Sequence, residues 1–135
     1  MNSNISKFID SKSQQLNTGD YTSELYKLTE LLPTQLPLEL IDLYSKSNGY
    51  KDYEGFESIQ LWGIEQIIEE YISYKDKHLR FADSMLSVPW ISWSLKDGKY
   101  YKGYGLSNEY DGKPELLATT FDEVLKLLSE AEILH

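Results

Sequence analysis

Leu36-Pro37-Leu38-Glu39-Leu40-Ile41-Asp42-Leu43-Tyr44-Ser45-Lys46-Ser47-Asn48-Gly49 is the stretch from which the fold is read. Proline fits the first turn of a helix, where its missing N–H would have no partner anyway. Leu36, Leu40, Leu43 and Tyr44 then recur on one face, as a helix packed on a core requires. Lys46 falls in the last turn, where the helix dipole favours a cation. Asn48-Gly49 tolerate positive φ, and the spacing predicts that the helix stops there.

Working outward toward the N-terminus, Thr22-Ser23-Glu24 opens a helix with Leu25, Leu28, Leu31 and Leu32, and Pro33 ends it. Ile5, Phe8, Ile9 and Leu16 sit at loosely helical spacing in the preceding segment, Ser3 to Leu16, and Asn17-Thr18-Gly19-Asp20 reads as a loop. Working the other way, Tyr50 to Gly55 reads as a polar, aromatic loop and Phe56 to Trp62 as a short strand. Ile64 to Tyr74 is an amphipathic helix, with Ile64, Ile67, Ile68, Tyr71 and Ile72 opposed by Glu65, Glu69 and Glu70.

The period then changes. Leu79 to Asp83 reads as a strand. Trp90 to Leu95 and Tyr100 to Leu106 flank Lys96-Asp97-Gly98-Lys99, and the Asp-Gly pair predicts a hairpin closed by a type I′ turn. Leu116-Leu117-Ala118 is a further strand, reached through a turn at Asp111-Gly112. Thr120 to Glu123 matches the Ser/Thr-x-x-Glu capping box ahead of Phe121, Val124, Leu125, Leu127 and Leu128. N-terminal helices, an antiparallel sheet of about four to six strands and a closing C-terminal helix make the class α+β. The 135 residues suffice for one core, so a single domain spans 1–135, with 1–21 an N-terminal helix or arm and 22–130 the core.

A hydrophobic fraction of 41% is enough to offset backbone entropy, so the chain is expected to fold. It has no cysteine, which excludes disulfides and thiolate metal sites and suits a reducing cytoplasm. No apolar run reaches the length of a signal peptide core or a membrane span, so a soluble intracellular protein is expected. The net charge of -9 is uneven: residues 51–76 hold seven acidic side chains against two basic ones, whereas 77–105 hold five basic against two acidic. So negative a surface disfavours nucleic acid and anionic membranes and favours a basic protein partner.

Residue patterns for catalysis or cofactor binding are missing. His78, expected at the surface, and the terminal His135 cannot build a His-rich metal site. There is no Gly-x-Ser-x-Gly around Ser84, Ser87, Ser92 or Ser94, no Gly-x-Gly-x-x-Gly and no Walker lysine. Adjacent carboxylates such as Glu69-Glu70 diverge around a helix. Asp83 is the one carboxylate expected to be partly buried, in a turn or a cap. Among Trp90, Trp93, Tyr100, Tyr101 and Tyr104, strand alternation sends about half into the core. No enzyme, cofactor or metal is expected.

The ordered set of Leu36-Pro37 through Asn48-Gly49, Leu61-Trp62, Phe81-Ala82-Asp83-Ser84 and Thr120-Phe121-Asp122-Glu123-Val124-Leu125 resembles the SUKH superfamily across residues 22–130. Gly49-Tyr50 stands where that family often has Gly-Gly, and Phe81 to Met85 where many members have a Gly-rich stretch. The resemblance implies an immunity-type protein that binds and neutralises a bacterial toxin, or, in the manner of fungal relatives, a non-catalytic scaffold or regulator. It supplies no catalytic residue. The expected partner is a cognate toxin, basic in charge, with a nuclease the class that fits best. The expected contact residues are Tyr50, Asp52, Tyr53, Glu54, Phe56, Glu57, Glu65, Glu69 and Glu70, the acidic side chains steering and the aromatic ones supplying contact area.

Overall fold

In a computed structural model of the chain, which describes residues 3–11, 16–50, 59–74, 78–84, 90–103 and 114–130, the helix read from Leu36 to Gly49 spans Leu38–Lys46. Leu40, Leu43 and Tyr44 are buried along it, and Leu36 is buried just ahead of it. In chain order the elements are α1 (Ser3–Ser11), β1 (Leu16–Thr18), α2 (Thr22–Leu31), α3 (Leu38–Lys46), β2 (Ser47–Tyr50), β3 (Ile59–Leu61), α4 (Ile64–Tyr74), β4 (His78–Ser84), β5 (Trp90–Ser94), β6 (Tyr100–Gly103), β7 (Glu115–Ala118) and α5 (Phe121–Glu130). β1 pairs with β2, while β3 to β7 form a five-stranded sheet in chain order, every neighbour antiparallel. The class is α+β. Among the described residues, no helix is long and apolar enough to cross a membrane.

Helix and sheet meet in one core. Phe81 of β4, Tyr100 of β6 and Phe121 of α5 form a ring triangle with centroids 5.6 to 6.2 Å apart. Burial pushes the Tyr100 hydroxyl well above its ordinary pKa, and Glu39 adds to the shift, so the phenol stays neutral. The capping box forms: Thr120 Oγ1 accepts the Glu123 N–H at 3.3 Å, and both Thr119 and Thr120 hydroxyls donate to Glu123 Oε1. These contacts hold the Glu123 carboxyl below its ordinary value.

Four local expectations are corrected. Asn17 and Thr18 are not loop but part of β1, because the backbone of Ser47 to Tyr50 needs hydrogen-bond partners and this segment supplies them. The pairing extends to Gly19 N–H on Lys46 O and Tyr21 N–H on Ser45 O, each 3.0 Å. Gly49 does not end α3; Ser47 already leaves the helix in an extended conformation, and Gly49 lies inside β2 at φ +75°. The 90–103 hairpin is closed by Leu95 to Gly98 and not by a two-residue type I′ turn. Gly98 N–H returns to Ser94 O, while Ser94 Oγ accepts the N–H groups of Lys96 and Asp97. Ile72, expected on the apolar face of α4, is 51% exposed, because only Ile64 and Ile67 reach the core fully while Ile68 and Tyr71 pack at its edge.

Gly49 is where the chain crosses itself. A Cβ there would lie 2.6 Å from Trp62 C and Gly63 N and 2.8 Å from Leu61 O, all backbone atoms that cannot swing away. Gly49→Ala is therefore expected to lower the unfolding free energy by about 3 kcal/mol, combining left-handed strain with overpacking. Gly98 has a similar φ of +74°, but its nearest neighbour is Trp93 Nε1 at 4.0 Å, so Gly98→Ala carries the strain alone, about 1 kcal/mol. Urea denaturation of the two variants measures the difference; equal losses would remove the close approach as the cause.

Candidate functional site

Two groups of polar side chains lie at the α4 end of the sheet. The first begins with Asn48. Its side-chain Oδ1 accepts the Ile64 N–H at 2.7 Å, satisfying one of the orphan donors at the start of α4. Its Nδ2 donates to both Glu65 carboxylate oxygens, at 3.2 and 3.4 Å. A residue 16 positions upstream thus caps α4 and orients its first glutamate.

On α4, Glu65, Glu69 and Ile72 follow at i, i+4 and i+7 and share one flank. Glu65 and Glu69 are exposed. Glu70, five residues beyond Glu65, sits about 140° round the axis. It is half-buried, and its charge is among the influences that raise the Asp83 pKa. The three expected glutamates are therefore split, two on one flank of α4 and one on the other. Tyr50 ends β2, next to Gly49. Asp52, Tyr53, Glu54, Phe56 and Glu57 lie outside the described residues, as do the expected loop and the start of the strand around them.

Asp83 forms the second group. It is not in a turn or cap; it lies within β4, paired with Gln60 and Trp90 across its two neighbours, because the sheet continues on both sides of it. Burial is the largest influence on its carboxyl and raises the pKa above 3.8; the nearby Glu70 adds to the rise, and the Trp62 side chain partly opposes it. The Trp62 indole N–H is buried and makes no hydrogen bond of normal geometry among the described residues.

The other polar group is on the sheet face that carries Trp90, Ser92 and Ser94, opposite Ile91 and Trp93. His78 is half-buried, not a free surface residue: its Nδ1 is 3.1 Å from Ser92 Oγ, and its ring packs edge-on to Tyr101 at 5.2 Å. The Arg80 guanidinium lies 4.6 Å over the Trp90 ring. Trp90 lies flat on Gly103, where a Cβ would stand 2.3 Å from the indole. The His78–Ser92 pair has the distance of a base and nucleophile, but Ser92 is 0% exposed, so no substrate carbonyl reaches its oxygen. Tyr101 donates its hydroxyl to Asp97 Oδ2 at 2.5 Å, which lowers the Asp97 pKa. Lys102, opposite Ile91 in the ladder, lies on the other face and pairs with Glu115 at 3.7 Å. Tyr104 lies outside the described residues.

Among the described residues no group of three or more His, Cys, Asp or Glu side chains is arranged to hold a metal ion. No protein-family model matches the chain, and no curated protein matches it either.

The raised pKa of Asp83 sets a sign. A carboxyl whose folded pKa exceeds its unfolded one holds its proton more tightly when folded. The stability this contributes is present below the unfolded pKa and is lost as pH rises through the folded value. Asp83→Asn is therefore expected to melt at a higher temperature than the parent at pH 7, with the gap closing as pH falls toward about 4. Thermal melts of both proteins across that range check it; a parent more stable than the variant at pH 7 would contradict the account of Asp83.

Proposed function

We propose that this chain is a cytoplasmic immunity-type protein that binds and neutralises a cognate bacterial toxin by occlusion, with a basic nuclease the class that fits best. The observation carrying the reading is the outer flank of α4, where Glu65 and Glu69 are exposed beside the exposed apolar Ile72. A carboxylate pair flanking an apolar side chain suits a cationic protein surface: the charges steer encounter and the isoleucine adds contact area. The net charge of -9 strengthens the long-range part of that attraction. The SUKH resemblance, carried by Leu36-Pro37, Asn48-Gly49, Leu61-Trp62 and the helix from Thr120, supports the same class. Tyr50, at the end of β2, and Asp52, Tyr53, Glu54, Phe56 and Glu57, which follow it in sequence, are further contact residues of this reading by the acidic and aromatic character of that stretch.

Within this reading the protein acts without chemistry of its own. It holds the toxin by shape and charge and covers the toxin's substrate groove. Such a complex weakens with ionic strength, since exposed charges separated by more than roughly 10 Å are screened at 0.1 M salt.

The test is co-expression with the product of the adjacent toxin-bearing gene, followed by pull-down and a salt titration. Growth rescue and a salt-sensitive complex are expected. Glu69→Lys should weaken the complex roughly tenfold or more, chiefly through a slower association rate. It leaves Asn48 and its contacts untouched, so folding is not at issue. A toxic neighbour that forms no complex refutes the immunity reading, and binding undiminished by Glu69→Lys refutes this face.

A further inference from the structure

We propose that Asn48-Gly49 is a deamidation site that the fold holds shut, so that a chain left unfolded loses the ability to fold. The inference is independent of the reading above and applies equally to an inhibitor and to a scaffold.

The reaction needs only the chain and water. The Gly49 backbone nitrogen gives up its proton and attacks the Asn48 side-chain carbonyl carbon. An N–C bond forms, the bond to the side-chain nitrogen breaks, and ammonia leaves with that proton. Water then opens the resulting succinimide at one of its two carbonyls. One opening leaves aspartate at position 48; the other leaves isoaspartate, whose main chain runs through the former side-chain carbons. Of the five asparagines in the chain, Asn48 alone precedes glycine, the residue that crowds the attacking nitrogen least.

Two restraints keep the ring from closing in the folded protein. The side-chain amide is engaged with α4: Oδ1 accepts the Ile64 N–H at 2.7 Å, and Nδ2 donates to the Glu65 carboxylate oxygens at 3.2 and 3.4 Å. Swinging that amide over the Gly49 nitrogen breaks these bonds and strips a helix N-terminus of an acceptor. The Gly49 backbone is fixed as well. It is buried at φ +75°, so close to Trp62 and Gly63 that a Cβ would stand 2.6 Å from a backbone atom of each. Closing the ring requires rotation about this same link, and the contact leaves no room for it. Attack therefore waits until β2 parts from the turn between β3 and α4.

The same geometry decides what each product does. Aspartate still accepts the Ile64 N–H, but it has no amide hydrogen to donate and sets a second carboxylate against Glu65. Isoaspartate lengthens the main chain by one carbon directly ahead of Gly49, where the backbone of residues 61–63 has no space for a methyl group. It also spoils the spacing of β2 against β1, whose register runs from Thr18 opposite Ser47 to Leu16 opposite Tyr50. Aspartate weakens the fold and isoaspartate blocks it. The pair thus keeps an irreversible record of time spent unfolded.

The full chain is incubated at neutral pH, folded and in guanidinium above its unfolding midpoint, and followed by intact mass and by peptide mapping of position 48. The NH2-to-OH mass change counts the loss of Asn48; isomerisation at Asp97-Gly98 or Asp111-Gly112 changes no mass and is not mistaken for it. The folded protein is expected to react at least roughly a hundredfold more slowly than the unfolded chain. Glu65→Ala, at an exposed position, frees Nδ2 and should speed the folded-state reaction several-fold with the unfolded rate unchanged. After guanidinium is removed, chains with asparagine or aspartate at position 48 should regain native circular dichroism, and chains with isoaspartate should not. Equal rates in the folded and unfolded protein overturn the proposal, as does full refolding of the isoaspartate chains or a folded-state rate that Glu65→Ala leaves unchanged.

Discussion

The passage of Gly49 across Leu61, Trp62 and Gly63 is the constraint on which the rest of the fold depends. With no Cβ in the way, β2 lies against the turn between β3 and α4 at backbone contact. That approach brings three bonds into reach. Tyr44 donates its hydroxyl to Trp62 O at 2.9 Å, Trp62 N–H reaches Phe81 O at 2.8 Å, and Asn48 caps Ile64 at 2.7 Å. The first ties α3 to the sheet, the second ties the turn to β4, and the third sets where α4 begins. All three groups are wholly or partly buried, so leaving any unpaired would cost about 1–3 kcal/mol. The helical half and the sheet half of the chain are thus joined through one polar knot inside an apolar core.

Much of this was legible from local chemistry. Pro37, the leucine period of α3, the period of α4 and the Thr120-x-x-Glu123 box each state their element within a few residues, because starting and stopping a helix are short-range problems. The places where the reading failed are long-range. Asn17 and Thr18 look like loop because nothing nearby announces that Ser47 to Tyr50, some thirty positions on, lacks a partner strand. Asn48-Gly49 looks like a helix stop because that is the usual use of the pair, and only the path of residues 61–63 gives it another. Asp97-Gly98 suggests the shortest hairpin, but Ser94, whose hydroxyl accepts two backbone N–H groups, holds a wider loop. The sequence reading likewise grouped Glu65, Glu69 and Glu70 as one acidic face, although their spacing already turns Glu70 about 140° from Glu65.

The sheet face opposite the helices shows how such context reassigns roles. β5 is buried at every position, so its alternation is not apolar-in and polar-out. Trp93 and Ile91 enter the helical core, while Trp90, Ser92 and Ser94 are covered on the far side by aromatic and cationic neighbours. Gly103 makes this possible, since any side chain there would lift the Trp90 ring from the sheet and with it the guanidinium stacked on top. His78 and Arg80, which as sequence look like a basic surface run, serve as the cover.

Charge in this protein therefore divides by use. Lys46, Lys102 and Arg80 are consumed inside the fold, by Asp42, Glu115 and the Trp90 ring. Each lysine pair removes one positive and one negative charge, so the net excess of negative charge is left to the remaining side chains. Glu65 stands at the boundary, exposed to a partner on one side and bonded to the Asn48 amide on the other. A cation drawn to Glu65 competes with that amide, whereas one drawn to Glu69 competes with nothing in the described structure. Asn48 also caps α4, so a contact at Glu65 is felt at the knot that holds the two halves together. Binding energy taken at Glu69 comes free of that conflict. The weight of an acidic interface on this fold should accordingly lie toward the middle of α4, away from its first turn.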